Sequence, residues 1–419
     1  MLLAGGAGSR FLNRAMVFIW LALCLRAVVC FFPAAAQASS LTVAYAVEGD
    51  LYLWQEGDAA PRRLASGTVL RPHLSPDGTF VAFVRGEAQA ASLWLVNGDG
   101  SGETELVGAG DLPTDTYLGQ VEWGGADTLY FNTVRQDALG LVAQNDLYRV
   151  DLSATVIQLL PPGEGGAFTL NPSGNRLALV LPGAYRQTEG RIRVFEVASG
   201  EMVDLLTFPA VASGSHEPFY PAVQWVDENL LLTAVPPPDL LYEELSAAPS
   251  PVALWRLNAV TGERVQMGEV QASLFGLPRW SDDGAWMTWL QRNRDRSGDG
   301  GFRGMVAEGD GQNATAVIEH GDETLRAAQW IPGQNRYLLV NDGAFWLGAP
   351  GESLTRWHAV ESEVFLSPEI TSSHAVYGAM VDDRVELNAL PLDVQAAPTR
   401  IAALDTIPLI DVINRIQSN

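Results

Sequence analysis

The chain of 419 residues contains no lysine and only two cysteines, Cys24 and Cys30, both within its first forty residues. The rest of the sequence therefore excludes disulfides, thiol catalysis and cysteine-ligated zinc. Positive charge is scarce, because 26 arginines stand against 49 acidic residues and leave a net charge of −23. So acidic a chain is a poor partner for nucleic acid, and we expect no nucleic-acid binding.

Long apolar runs are also few, and they lie at the N-terminus. Arg10 and Arg14 precede an apolar run that ends at Cys24, and after Arg26 a second run leads into the small residues 34–38. This order predicts a signal peptide over residues 1–38, so the protein is expected to be exported and periplasmic, cell-surface or secreted. An uncleaved anchor helix is the alternative. We expect residues 39–419 to form one domain without a membrane span.

A sustained helical period is lacking after residue 38, and a repeated hairpin pattern takes its place. Each copy is a short strand ending on Leu or Trp, a polar turn, and a second strand rich in apolar residues. The copies are RPHLSPDGTFVAFVR (71–85), GQVEWGGADTLYFNT (119–133), AFTLNPSGNRLALVL (167–181), PAVQWVDENLLLTAV (221–235), GLPRWSDDGAWMTWL (276–290) and RAAQWIPGQNRYLLV (326–340).

The spacing of these hairpins predicts the architecture. The last Leu or Trp of the first strand, called the anchor below, recurs about every fifty residues, which suits one four-stranded blade per repeat. The anchors are Leu74, Trp123, Leu170, Trp225, Trp280 and Trp330. A third strand such as SLWLVN (92–97) and a fourth strand follow each hairpin. We expect the anchors to pack between blades, because they recur at one repeat position.

The two ends of the chain complete each other in this pattern. Residues 41–47, 50–55 and 62–65 match the second, third and fourth strands of a blade, with no first strand before them. The C-terminal stretch 407–416 alternates as a strand does and would supply the missing inner strand. The prediction is an all-β protein, a β-propeller of eight four-stranded blades closed by its C-terminal strand. Seven blades is the alternative if 363–403 is irregular.

The blade at 71–107 carries the motifs of a known repeat. Leu-Ser-Pro-Asp-Gly (74–78), VAFV (81–84) and the Asn-Gly-Asp-Gly turn (97–100) resemble the repeat of TolB-type, WD-repeat-like propellers. The same repeat is similar to that of the propeller half of prolyl-oligopeptidase and dipeptidyl-peptidase enzymes. The resemblance implies the fold and leaves the function open. Those peptidases add a hydrolase domain with a nucleophile elbow, and this sequence contains no G-x-S-x-G.

One loop suggests a metal. In RNRDRSGDGGF (292–302), acidic and hydroxyl residues alternate before two glycines, as in the first half of a calcium loop. The proposed Ca²⁺ ligands are Asp295, Ser297, Asp299 and Gly301. The twelfth position of such a loop is Val306 in place of the usual Glu, so a solvated loop without calcium is the alternative.

Loop lengths indicate the working surface. The turns between first and second strands, and between third and fourth strands, are short. Long loops fall on the opposite face, at 134–145, 182–190, 209–219, 236–252 and 291–301. Binding residues concentrate on such loops, although 236–252 could also be a disordered insertion. The candidate binding residues are Arg135, Tyr185, Arg186, Phe219, Tyr220, Tyr242, Glu243 and Glu244.

Two functions remain open. The first is a non-catalytic scaffold that binds a protein, peptide or glycan in the cell envelope. The alternative is an envelope hydrolase or lyase with an acidic site at the central channel. The starts of the inner strands, at Gly119, Ala167, Pro221 and Gly276, are not acidic, and this favours the scaffold over an enzyme.

Overall fold

The fold is described from a computed structural model, which covers residues 39–87, 90–136, 141–183, 188–210, 221–236, 249–272, 278–292, 302–317, 325–341, 343–360 and 368–416. Leu41–Arg415 belong to one compact unit. Within these residues the secondary structure is almost wholly β, and the helical element is a single 3-10 turn at Ala109–Asp111.

The strands form eight antiparallel sheets, each a blade of the ring. The first three strands are β1 (Ser39–Val47), β2 (Asp50–Gln55) and β3 (Arg62–Ser66). Blade 2 consists of β4 (Val69–Leu74), β5 (Phe80–Arg85), β6 (Ser92–Asn97) and β7 (Thr104–Val107). Blade 3 consists of β8 (Thr116–Trp123), β9 (Thr128–Gln136), β10 (Leu141–Ala143), β11 (Leu147–Asp151) and β12 (Val156–Leu160). Blade 4 consists of β13 (Ala167–Leu170), β14 (Arg176–Leu181), β15 (Gly190–Glu196) and β16 (Met202–Phe208).

The second half of the ring repeats this order. Blade 5 consists of β17 (Val223–Trp225), β18 (Leu230–Val235), β19 (Ser250–Asn258) and β20 (Arg264–Ala272). Blade 6 consists of β21 (Arg279–Trp280), β22 (Trp286–Arg292), β23 (Phe302–Glu308) and β24 (Thr315–Ala316). Blade 7 consists of β25 (Leu325–Trp330), β26 (Tyr337–Asn341), β27 (Ala344–Gly348) and β28 (Thr355–Ala359). Blade 8 consists of β29 (Glu369–Ile370), β30 (His374–Val381), β31 (Arg384–Pro391) and β32 (Thr399–Leu404). The last strand, β33 (Leu409–Ile416), pairs with β1 and completes blade 1.

Local side-chain bonds explain why the first turn of a blade is so tight. In blade 2, the Ser75 hydroxyl accepts from the backbone N–H of Phe80 at 2.9 Å and donates to Asp77 at 2.6 Å. The same pair of bonds recurs around Ser281 in blade 6. Gly78 lies at φ +67°, a conformation that glycine adopts without strain. The sequence Ser-x-Asp-Gly is thus a self-contained turn that directs the chain into the second strand.

The core lies between blades. Each of the eight seams contains a cluster of buried apolar side chains drawn from both neighbours. In the closing seam, Val43 and Trp54 of blade 1 meet Val376 and Leu387 of blade 8. Because every blade packs on two others, the ring buries both faces of its sheets and leaves no blade at an open end.

The predicted architecture is confirmed in its main features. Eight blades are present, each with the four expected strands and blade 3 with the short additional strand β10, and the C-terminal strand joins the N-terminal sheet. The seven-blade alternative is wrong, because β29–β32 are regular strands. Two predicted loops need correction: β9 runs on to Gln136 and pairs with β10, so part of 134–145 is a β-ribbon, and β19 already begins at Ser250.

Candidate functional site

Three of the four anchor tryptophans tie their inner strands to the preceding blade. Nε1–H of Trp123 donates to the carbonyl oxygen of His73 at 3.0 Å, and Nε1–H of Trp330 donates to that of Arg279 at 3.0 Å. Trp225 makes the corresponding bond to the preceding blade, at 3.1 Å. In these three bonds the acceptor is the residue directly before the preceding anchor, called the pre-anchor residue here. The fourth anchor tryptophan, Trp280, instead donates to the Gly309 carbonyl oxygen of its own blade at 2.9 Å. The three bonds between blades fix the register of neighbouring inner strands.

The side chains of the pre-anchor residues lie at one level of the ring. The Gln224 amide accepts from the backbone N–H of Trp280 at 3.0 Å and donates to its carbonyl oxygen at 2.8 Å. Asp411 of β33 accepts from the backbone N–H of Leu74 at 2.5 Å, and this bond identifies it as the pre-anchor residue of blade 1. Inner strands of a propeller line its central channel. The eight pre-anchor residues are therefore Asp411, His73, Glu122, Thr169, Gln224, Arg279, Gln329 and Glu369.

Three of these residues are carboxylic acids, from blades 1, 3 and 8. Glu122 and Glu369 are exposed to water, yet burial among surrounding atoms raises the pKa of each. Burial, followed by the charges of Glu369 and Glu122, raises the pKa of Asp411 to about 6. A side chain that contacts water and is also surrounded by many protein atoms lies on a concave surface. We call these three residues the acidic arc.

Cationic side chains occupy blades 2 and 6, which stand opposite each other in an eight-membered ring. Burial lowers the pKa of Arg279, and within the described residues its guanidinium has no hydrogen bond or ion pair. Arg71, whose pKa burial also lowers, donates to the carbonyl oxygens of Gly119 and Leu118. Burial and Arg71 together lower the pKa of His73 to about 4, and its Nε2 has no partner. The His73 imidazole is therefore neutral at physiological pH.

The channel can bind charged groups. The acidic arc would attract a cation, and Arg279 would attract an anion. The described residues contain no group of three or more His, Cys, Asp or Glu side chains arranged to hold a metal ion.

Of the site residues predicted from sequence, the structure describes only Arg135. It lies near the end of β9, is exposed, and pairs with Val142 of β10. The other binding candidates, Tyr185, Arg186, Phe219, Tyr220, Tyr242, Glu243 and Glu244, lie outside the described residues. The proposed calcium ligands Asp295, Ser297, Asp299 and Gly301 also lie outside them.

The β9–β10 ribbon is a feature that sequence reasoning missed. It lies in the connection between the second and third strands of blade 3, where the other edge of β9 pairs with β8. Leu141 of β10 is 65% exposed and Val142 is 38% exposed. No described strand pairs with the outer edge of β10. Exposed apolar side chains beside an open strand edge are typical of an interaction surface.

The described part of the chain contains no helix that is both long and apolar enough to cross a membrane. Neither a known protein-family profile nor a curated protein sequence matches the chain. Similar solved structures do exist, as three comparisons illustrate.

A eukaryotic initiation factor is 12% identical, with a TM-score of 0.53 over 88% of this chain and 97% of that one. The β-propeller domain of the Trilobed protease from Pyrococcus furiosus is 11% identical, with a TM-score of 0.47 over 80% and 95% of the two chains. TolB from Acinetobacter baumannii is 12% identical, with a TM-score of 0.36 over 98% and 74%.

The chain spans about half the length of an acylaminoacyl peptidase that it also matches, 48% of that chain. The resemblance predicted from the repeat motifs, to TolB and to peptidase propellers, is thus found at the level of structure. At such low identity a likeness concerns the fold alone. By its own topology, this chain is an eight-bladed β-propeller.

Proposed function

We propose that the protein is an exported, non-catalytic β-propeller that binds a protein, peptide or glycan of the cell envelope through the face bearing its long connections. The basic residues, apolar runs and small residues of the first 38 positions support export. The ring supports a scaffold role, because a rigid fold presents its loops in fixed positions.

The observation that carries the proposal is the β9–β10 ribbon. Leu141 and Val142 are apolar and exposed, and Arg135 lies beside them as a polar neighbour. Exposed apolar side chains with a polar neighbour are typical of protein-interaction sites. An open edge can also receive an extended peptide as an added strand.

Binding assays on peptide and glycan arrays test this surface. Leu141→Ser together with Val142→Ser should weaken binding roughly tenfold or more, because two apolar contacts of ~1–3 kcal/mol each are lost. The matched control is Ile157→Ser on β12 of the same blade, where the isoleucine is 39% exposed. Equal binding by the double variant and the control would contradict a role for the ribbon.

Export is tested separately. The full chain is expressed in a bacterial host, the envelope and medium fractions are collected, and the mass of the N-terminal peptide is measured. We expect a mature chain that begins near Ser39. An intact N-terminus in the membrane fraction would favour the anchor-helix alternative.

Calcium at Asp295, Ser297, Asp299 and Gly301 is part of the proposal. A site that binds Ca²⁺ only in the folded state, filled to a hundred times its dissociation constant, stabilises the fold by about 2.7 kcal/mol. We therefore expect a chelator to lower the unfolding temperature of the wild type by a few degrees. Asp299→Ala should start at the lower temperature and show no response. A wild type indifferent to chelator would remove calcium from the proposal.

The acidic arc supports a second candidate function, a hydrolase or lyase acting in the channel. Among the described residues Glu369 has no hydrogen bond on its carboxyl group, whereas Glu122 accepts from the Gln120 amide at 3.4 Å and Asp411 accepts from the Leu74 N–H. Raised pKa values suit proton transfer near neutral pH. The wild type is incubated with polysaccharide and peptide mixtures, and products are followed by mass spectrometry. Turnover that disappears in Glu122→Gln and Glu369→Gln would replace the scaffold proposal.

A further inference from the structure

A groove lies in the seam that closes the ring, between blade 8 and blade 1. Its volume is about 260 Å³, and it is partly open to solvent. Blade 1 contributes Tyr45 and Tyr52 to its wall, and blade 8 contributes Arg384, Leu404 and Asp405. These residues belong neither to the pre-anchor level of the channel nor to the β9–β10 ribbon, so the groove is a separate feature of the molecule.

The size of the groove suits one small ring. Sites for drug-sized ligands have volumes of roughly 300–1,000 Å³. A groove of about 260 Å³ therefore holds a smaller group. Because the groove is partly open, a longer chain attached to that group can extend into solvent.

The wall from blade 1 is aromatic. Tyr45 and Tyr52 are paired directly opposite each other on β1 and β2, and their rings stack with centroids 5.2 Å apart and 13° between their planes. Tyr45 is 2% exposed, whereas Tyr52 is half-buried. The buried ring thus supports the Tyr52 ring, which lines the groove with partly exposed aromatic surface. Such a surface packs favourably against the C–H groups of a ligand.

The wall from blade 8 contains an exposed ion pair. Nε–H of Arg384 donates to Oδ1 of Asp405 at 2.9 Å, and the Nη2 group donates to the carbonyl oxygen of Ala403 at 3.1 Å. The two side chains are 52% and 70% exposed. Within the described residues, Nη1 of Arg384 and Oδ2 of Asp405 have no hydrogen bond. The pair can therefore both donate to a ligand and accept from it.

The charges of the groove indicate an uncharged ligand. Arg384 and Asp405 neutralise each other. The remaining charged residue of the lining, Glu48, is exposed in the turn between β1 and β2, and an exposed charge attracts an ion only weakly. Hydroxyl groups, by contrast, form strong hydrogen bonds with ionised partners. A sugar ring offers both an apolar C–H face for the aromatic wall and hydroxyl groups for the ion pair.

We propose that this groove binds one uncharged sugar ring of a glycan, with its C–H face against Tyr52 and its hydroxyl groups on Arg384 and Asp405. This site is additional to the binding surface proposed above, and the argument for it does not depend on the ribbon.

Calorimetric titration of the full chain with monosaccharides tests the ligand class. The uncharged probes are glucose, galactose, mannose and N-acetylglucosamine, and the charged analogues are galacturonate and glucosamine. We expect at least one uncharged sugar to bind with about millimolar affinity, because the site is small and open. Neither charged analogue should bind more tightly than galactose or glucose, its uncharged parent. Failure of all four uncharged sugars to bind, or tighter binding of a charged analogue than of its parent, would overturn the proposal.

Two variants test the location of the site. Tyr52→Leu removes the aromatic surface, and Asp405→Asn removes the charged acceptor while keeping the shape of the side chain. Each should weaken sugar binding roughly tenfold. The matched control is Arg400→Gln, which breaks an ion pair with Glu386 on the same blade but outside the groove. This control should bind sugar as the wild type does.

The outcomes separate the groove from the ribbon. Unchanged sugar binding in a folded Tyr52→Leu or Asp405→Asn variant would overturn the proposal. Should Tyr52→Leu fail to fold, Asp405→Asn decides alone, since that side chain is 70% exposed. Leu141→Ser together with Val142→Ser should leave sugar binding unchanged. A loss in that double variant alone would assign the sugar to the ribbon and overturn the groove site.

Discussion

At the scale of single residues, the ring is held by polar atoms that reach from one inner strand to the next. The indole N–H of Trp330 bonds to the carbonyl oxygen of Arg279 in the preceding blade. The amide of Gln224 reaches in the other direction, to Trp280 of the following blade. Such bonds satisfy backbone groups that the sheets leave unpaired at the channel. Together with the apolar clusters in the seams, they fix each blade against both neighbours.

Replacing one of these tryptophans should have a measurable cost. Trp330 is 8% exposed and packs edge-on against Tyr337. Trp330→Phe keeps an aromatic ring but leaves the Arg279 carbonyl unpaired, so we expect a loss of ~1–3 kcal/mol in the free energy of unfolding. Trp94→Phe is the control, since that indole bonds only to Ser92 within its own strand. Urea unfolding should show a smaller loss for the control, and equal losses would contradict the inter-blade role.

The anchors could be predicted from the sequence, and the pre-anchor residues could not. Anchors are Leu or Trp in the six repeats recognised from the sequence, because the seam requires a large apolar side chain there. Pre-anchor positions hold His, Glu, Thr, Gln, Arg and Asp, since the channel imposes no common residue type. Aligning the six repeats on their anchors and reading one position back would have found Glu122, but not Glu369, because no anchor was predicted in blade 8. Asp411 would have stayed hidden, because β33 lacks the hairpin that marks the other inner strands.

At the scale of elements, the turns after the inner strands lie close to the neighbouring blade. Gly174, at φ +70°, has the Gly124 carbonyl oxygen of blade 3 only 2.4 Å from where a Cβ would lie. Gly333, at φ +72°, occupies the same kind of turn with nothing within 4 Å. Both glycines have a left-handed backbone conformation that a side chain would strain, but only Gly174 lies against the neighbouring blade.

Substituting Gly333 and Gly174 in turn distinguishes the energetic cost of backbone strain from the cost of a clash between blades. Gly333→Ala should lose ~1 kcal/mol in the free energy of unfolding, from the left-handed backbone alone. Gly174→Ala should lose that amount and a further ~1–3 kcal/mol, because the blade 3 backbone must move. Thermal and urea unfolding measure both. Indistinguishable losses would mean that the turn of blade 4 does not touch blade 3 as described.

Strands were predictable where the apolar pattern is long and repeated. The segments 50–55 and 92–97 were predicted with the bounds of β2 and β6. The three residues of β10 carry no such pattern, because Leu141 and Val142 face water, and only their pairing with β9 makes them a strand. A strand that forms only through pairing with its neighbour has no alternating apolar pattern in the sequence. The segment that contains β10 was therefore predicted to be a loop.

At the scale of the whole molecule, the number of blades followed from counting repeats, but the working surface did not. A repeat encodes the packing that every blade shares, whereas a binding site consists of the residues in which blades differ. The net charge of −23 predicts that nucleic acid is not a partner and does not indicate which partner is bound. For this reason the fold was predictable in detail, whereas the residues of a binding surface were not.

The central claim is that the chain forms a ring closed by its own last strand. Ile410 and Val412 pack in the cluster between blades 8 and 1, and Ile413 packs in the cluster between blades 1 and 2. The decisive measurement is the urea unfolding midpoint of a chain that ends at residue 408, beside a control that lacks only residues 417–419. We predict that removing β33 lowers the free energy of unfolding by on the order of 5 kcal/mol, from three lost apolar side chains, with little change in the control. An unchanged midpoint without β33 would contradict the closed ring.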